Sequence, residues 1–275
     1  MFFVACVNQL VVVVCILLAT VSSVSTQTLG VVRPQATVAR QQGGLTGFRT
    51  SLDIKHLNGS NADQPFNWDL DVSLDFDLLD LGIIRGNLFG NFETIIGGEL
   101  RAVDPNQSNY IIDTSIFIRL PRGELSTAFH HVSRHQIDRP DTGSISWNMV
   151  GISYGDQLTI GQVELDVGAR AMGTIQRAGV DYRGQFETYF KILRVINQKL
   201  SVIASVDGVI VPVEATFFGR NTQHGGRIEG GVRLRSKVGS FDMFVAWEQR
   251  IDASALRHQT VRWTQFGFRL NSLLP

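Results

Sequence analysis

His131, Ser133 and His135 stand two residues apart within the stretch FHHVSRHQIDRP, residues 129–140. On a β-strand, where side chains alternate between faces, that spacing puts all three on one side. A serine hydroxyl beside an imidazole that can take its proton is a nucleophile for acyl transfer; without the imidazole it is inert. The carboxylate that would complete a triad is missing from that face. Asp138 and Asp141 in the following loop are the next acids along the chain. Metal binding by His131 and His135 with His130 is a further option, but positions i and i+4 of a strand lie too far apart for one ion unless the strand bends. No metal site and no cofactor motif is assigned. The plainest alternative is a polar cluster that ends an apolar band and meets lipid headgroups.

The choice depends on which face the three occupy, and so on the elements around them. The segment WDLDVSLDFDL alternates strictly. Trp68, Leu70, Val72, Leu74, Phe76 and Leu78 face one way, and Asp69, Asp71, Ser73, Asp75 and Asp77 the other. Period two means a strand. The pattern returns around Phe48–Ile54, Tyr110–Ile118, Val163–Val167, Phe186–Ile192, Ile228–Leu234, Phe241–Trp247 and Phe266–Leu270. Links between these runs alternate in length. LPRG (120–123), YGDQ (154–157), INQK (196–199) and KVGS (237–240) read as short turns. NGSNADQPF (58–66), VDPNQSN (103–109), QIDRPDTG (136–143), MGTIQRAG (172–179) and FFGRNTQHGG (217–226) read as longer loops.

Many strands joined by alternating short and long links imply an all-β fold, a transmembrane antiparallel β-barrel of about 12 strands. Strands of about 10 to 13 residues suffice to cross a bilayer when tilted. A soluble sandwich would also alternate, but the polar face here carries charges of both signs in rows. Asp71, Asp75, Asp113, Glu187, Lys191, Arg233 and Arg235 are the expected lumen-lining residues. Such rows either neutralise one another and fill a small barrel or line a narrow pore. Trp147, Trp247, Trp263, Tyr110 and Tyr154 are read as interfacial girdle residues or as barrel packing.

The first 25 residues hold an apolar run followed by small residues, as in a secretory signal peptide, although a charged start is missing. Residues 26–43 lack a clear period and read as an N-terminal arm, and residues 44–275 as the barrel. Cys6 and Cys15 both fall in the signal segment, which leaves no disulfide framework and no thiolate metal site. With 25 basic and 25 acidic residues, no net charge points to nucleic acid.

Pairing across Pro121–Arg122 sets Ile118 beside Leu125, Thr114 beside Phe129 and Ile112 beside His131. Pairing across the 137–143 loop would bring His135 to Ile145, Ser133 to Trp147 and His131 to Met149. Both arguments put the three residues outside the barrel, at the external end of their strand, near the depth of lipid acyl esters.

Two resemblances follow from these residues. His131-Val132-Ser133 is similar to the His-x-Ser element of lipid A deacylases, which implies acyl hydrolysis at the outer leaflet; Arg134 and His135 stand where those enzymes typically carry Asn and Ala. HVSRHQID, followed by SWNMVGISYGDQLTIGQVELDVGA, resembles an uncharacterised bacterial outer-membrane β-barrel family, the domain of unknown function 1207. His131, Ser133, His135 and Asp138 match its His-x-Ser-x-His-x-x-Asp motif, while Arg134 replaces a second Ser and Ile137 a Gly. That resemblance implies fold and bacterial outer-membrane location but no activity. The expectation is therefore an envelope or ligand-binding barrel that meets outer-membrane lipid, including lipopolysaccharide. A lipid acyl hydrolase using Ser133 with His131 and His135 is one alternative, and a narrow channel the other.

Overall fold

The computed structural model describes residues 42–59, 66–98, 100–137, 145–254 and 258–274. The signal segment and most of the arm lie outside them, as do Asp138 and Asp141; Gly43, read as the end of the arm, opens the first strand. Twelve strands form one closed antiparallel barrel: β1 (Gly43–Gly59), β2 (Phe66–Asp80), β3 (Ile84–Gly97), β4 (Asp104–Arg119), β5 (Glu124–Gln136), β6 (Ile145–Ile160), β7 (Val163–Ala178), β8 (Gly184–Val195), β9 (Leu200–Val211), β10 (Gln223–Arg235), β11 (Gly239–Arg250) and β12 (Val261–Leu274). β12 pairs with β1 from Leu274 opposite Phe48 to Trp263 opposite Gly59, so every strand has two partners and no edge is left open. A single helical turn, α1 (Ala215–Phe218), lies between β9 and β10.

Strand lengths run from 12 to 17 residues, longer than the alternation alone indicated. The reason is visible at YGDQ. Residues 154–157 are not a turn but the middle of a ladder, where Gly155 sits between Glu124 and Gly168. The chain reverses only at Gly161–Gln162, with Gly161 at φ 61°, a left-handed value that glycine adopts without strain. Likewise β7 runs on to Ala178, through most of the segment read as a loop. Short turns gather at one end with Gly43 and Leu274; the strand ends at Gln136, Ile145, Val211, Gln223, Arg250 and Val261 lie at the other.

The two faces are inverted relative to a water-soluble protein. Ile152 is 60% exposed and Val245 54% on the outside, whereas Lys55, Arg85, Asp69 and Glu248 are fully buried within. An apolar exterior around a charged interior is what a lipid-facing barrel requires. The interior charges are paired across the lumen. Arg250 of β11 reaches Asp69 of β2, Glu93 of β3 and its own strand's Glu248, each at 2.7 Å. Arg170 of β7 meets Asp113 of β4 at 2.6 Å, and Arg269 of β12 bridges Asp53 (2.7 Å) and Glu229 (2.9 Å). Breaking one member of such a buried pair costs about 3–5 kcal/mol, because the partner is left charged and dry.

Toward the loop end of the lumen, Ile145, Trp147 and Met149 of β6 pack with Val132, Met172, Val180 and Tyr182 in a buried apolar plug among the described residues. Above it Asp252 acts as a hub, with φ 48°, a conformation Asp tolerates better than most residues. Its carboxylate accepts from the Tyr182 hydroxyl at 2.7 Å and from Arg220 at 2.6 Å, and its carbonyl accepts from Arg134. Arg220 also binds Asp181. Burial works against the Arg220 charge, but the two carboxylates outweigh it and hold its pKa above the ordinary value.

Candidate functional site

β5 carries the His-Ser-His triplet on the outer face. Its ladder with β4 has the expected register, with Ile118 opposite Leu125, Thr114 opposite Phe129 and Ile112 opposite His131. The ladder with β6 differs from the expected one by one residue. His131 lies opposite Asn148, Ser133 opposite Ser146, and Val132 opposite Trp147. Ile145, Trp147 and Met149, expected beside the triplet, are instead lumen residues, all under 9% exposed. The apolar plug claims them, and that leaves the polar Ser146 and Asn148 on the triplet's side.

This register creates a hydrogen-bonded cluster on the barrel wall. His131 Nδ1 bonds Asn148 Oδ1 at 2.6 Å. Asn148 Nδ2 donates to Gln176 Oε1 of β7 at 2.9 Å, which turns the Oδ1 end of the amide toward the imidazole. Oδ1 can only accept, so in this arrangement of the amide Nδ1 is the donor of the bond, which matches the tautomer with Nε2 free to accept. On the other side of Ser133, its Oγ meets His135 Nε2 at 2.7 Å. That contact shows that an imidazole two positions away on this strand reaches the serine hydroxyl; His131 stands at the same spacing below. The Tyr110 ring meets His135 edge-on, with centroids 5.4 Å apart. Neither Asn148 nor Gln176 stood out in the sequence, because an acid was sought as the third member.

The inward residues of the same strands anchor the cluster from behind. Arg134 lies 5.1 Å from the Trp147 ring centre, and Trp147 packs edge-on against Tyr182 at 5.0 Å. His130 points inward, fully buried, and bonds Asp113 at 2.8 Å, so the three histidines do not share a face and cannot hold one ion together.

The residues expected to line the lumen are distributed as follows. Asp71, Asp113 and Glu187 are buried inside: Asp71 pairs with Lys55, Asp113 with His130 and Arg170, and Glu187 accepts from Gln185. Asp75 pairs with Arg49 at 2.8 Å. Arg233 forks onto Asp242 with two bonds of 2.7 Å, and Arg235 approaches Glu164 at 3.5 Å. Lys191 pairs in register with Asp166 and Ser205. Asp69, Asp71 and Glu93 bring carboxylate oxygens within 4.8 Å of one another. Lys55 and Arg250 already supply the positive charge there, with Lys55 at 3.0 Å and Arg250 at 2.7 Å from Asp69, so the trio does not fit a metal ion. Of the girdle candidates, Tyr110 and Tyr154 are exposed on the outside and Trp247 is half-buried, whereas Trp147 and Trp263 are core residues of the lumen.

No family model matches the chain and no curated protein matches its sequence, so the resemblance to the uncharacterised barrel family gives no family assignment. Solved structures do match its fold. Outer membrane phospholipase A from Escherichia coli aligns over 84% of this chain and 99% of its own, with a TM-score of 0.51 and 12% identity. The Salmonella typhi outer membrane phospholipase, solved as a dimer with bound calcium, aligns over 86% and 94%, with a TM-score of 0.51 and 12% identity. An outer membrane channel from Pseudomonas putida F1 aligns over 87% and 99%, with a TM-score of 0.56 and 7% identity. The chain is a 12-strand β-barrel of the bacterial outer membrane.

Proposed function

We propose that this outer-membrane barrel is a serine acyl-ester hydrolase for lipid at the outer leaflet. Ser133 is the nucleophile, His131 the general base and Asn148 the group that orients it. The carrying observation is the 2.6 Å bond from His131 to Asn148, made on the outward face that also holds Ser133. Histidine, serine and a side-chain orienter stand on one face of two adjacent strands, and nucleophilic acyl transfer needs such a set once Ser133 turns from His135 to His131. Two of the similar barrels are phospholipases by name, which agrees with this reading.

The steps balance as follows. Ser133 Oγ attacks the ester carbonyl carbon while His131 Nε2 takes its proton. The tetrahedral adduct collapses, the carbon–oxygen ester bond breaks, and His131 returns the proton to the departing alkoxide. Water then attacks the acyl-serine, with His131 again taking and returning a proton, and releases the fatty acid. Asn148 stays neutral throughout; its carbonyl dipole holds the Nδ1 proton and favours the imidazolium that forms. For attack, Ser133 exchanges its His135 contact for His131. An amide suits this place better than a carboxylate, because an ionised group on a lipid-facing wall carries a solvation cost.

The channel reading has the lumen against it: cross-barrel ion pairs and the apolar plug fill it over the described residues. The test is fatty-acid release by the protein folded in detergent with phospholipid or lipopolysaccharide, compared with Ser133→Ala. Release that vanishes in the variant supports the proposal. No release from either lipid by a correctly folded barrel overturns it.

A further inference from the structure

We infer that Gln176 is a positioning residue that sets the tautomer of His131 through Asn148, and that a β-bulge in β7 exists to present it. The inference rests on the hydrolase reading for its kinetic consequences but not for its geometry. Along β7, Arg170 and Met172 point into the lumen and are buried, while Ala171 is exposed outside. Strict alternation would send Gln176 inward with them. The ladder with β6 is interrupted instead: Met149 pairs with Thr174, and Asn148, the next residue back, pairs with Gln176. Ile175 is the extra residue, 61% exposed. From there on the strand reads in the opposite phase, and Gln176 emerges on the outer wall beside Asn148. A bulge forfeits ladder bonding locally, and bulges concentrate where a side chain must be re-aimed.

What Gln176 does there follows from the two ends of the Asn148 amide. With Nδ2 donating to Gln176, Oδ1 faces His131, an arrangement that favours the proton on Nδ1. If the amide flipped, Nδ2 would donate to His131 Nδ1, and the ring proton would move to Nε2. That is the atom that must accept from Ser133, so the flipped state has no base. Gln176 therefore favours the competent tautomer as long as its amide presents Oε1 to Asn148 Nδ2, as it does here. Gln176 touches no reacting atom; its effect runs through Asn148 alone.

The test uses Gln176→Leu, which removes the acceptor, and Gln176→Glu, which offers acceptors only when its carboxyl is ionised and is therefore read at a pH where it is. The first readout is the nitrogen NMR spectrum of the His131 ring in the folded barrel, which reports the tautomer whether or not the protein hydrolyses anything. The wild type and Gln176→Glu should show Nδ1 protonated, and Gln176→Leu a mixture with the Nε2-protonated ring. The second readout is hydrolysis. Gln176→Leu should lower kcat roughly 10-fold with KM little changed, as expected for a group that orients a catalytic residue. Gln176→Glu should restore the rate. In an Asn148→Ala background Gln176→Leu should cost nothing further. An unchanged ring tautomer in Gln176→Leu, or the same loss with Asn148 already absent, overturns the inference. If no form hydrolyses lipid, the hydrolase reading falls while the ring spectrum still decides the role of Gln176. Should Gln176→Leu fail to fold, Gln176→Ala removes the same acceptor and gives the same two readouts.

Discussion

His130 and His131 are consecutive, and each anchors its Nδ1 on a neighbouring strand, His130 on Asp113 at 2.8 Å and His131 on Asn148 at 2.6 Å. Inside the barrel the anchor is a carboxylate, itself bound by Arg170 at 2.6 Å, and the whole set is under 5% exposed. Outside, the anchor is an amide backed by another amide, and Ser133 stands on the same face. The inner set is charged, paired and sealed. The outer set is anchored on amides, sparse and open to lipid. The difference teaches that two neighbouring histidines with the same Nδ1 anchoring can sit in opposite settings, one locked among buried charges and the other held by amides on the accessible wall where the proposed activity places its base.

Four experiments break or sharpen that contrast, starting with the largest effect. Ser133→Ala should lower ester hydrolysis by at least roughly 10³-fold while leaving the fold intact, since only a nucleophile is lost. Unfolding in denaturant should be unchanged; a comparable rate in the variant would place the chemistry elsewhere. Arg250→Met should do the converse. It removes the cation that Asp69, Glu93 and Glu248 share, leaving Asp69 to Lys55 and Glu248 to Arg227, and should destabilise the barrel by about 3–5 kcal/mol, seen in equilibrium unfolding, with activity per folded molecule retained. Asn148→Ala should slow hydrolysis roughly 100-fold through misorientation of His131; a normal rate there would remove the amide from the mechanism. His135→Phe should change the rate least, about threefold or less, because its contact with Ser133 is given up before attack. A loss as large as that of His131→Phe would make His135 the base and invert the assignment.

Much of this architecture was legible from period-two patterning. The outward row of Trp68, Leu70, Val72 and Leu74 and the opposing aspartates define both faces without any tertiary information. The β4–β5 register followed from a tight turn whose length leaves little choice, closed by Leu120 N–H to Gly123 carbonyl at 3.1 Å. The β5–β6 register did not follow, because a long loop sets no register and the apolar Trp147 and Met149 looked like lipid-facing residues. They pack inward because the lumen has its own apolar layer at the loop end, a minority pattern inside a polar interior. Gln176 was hidden by the bulge, since one extra residue reverses the face of everything after it. YGDQ has turn chemistry by composition, yet neighbouring strands on both sides pair its backbone and override that preference.

The outward position of Ser133 changes what concentration means for this protein. A site that opens upward into water samples solutes in a volume. One that opens sideways samples the molecules sharing its sheet of lipid, and they arrive by sliding within two dimensions. Under the proposed activity, the turnover of the barrel would track the fraction of substrate among its immediate lipid neighbours rather than the amount in the vessel. Inert detergent added at constant total lipid would then slow it by surface dilution alone, and the state of the bilayer around the barrel would act as its switch.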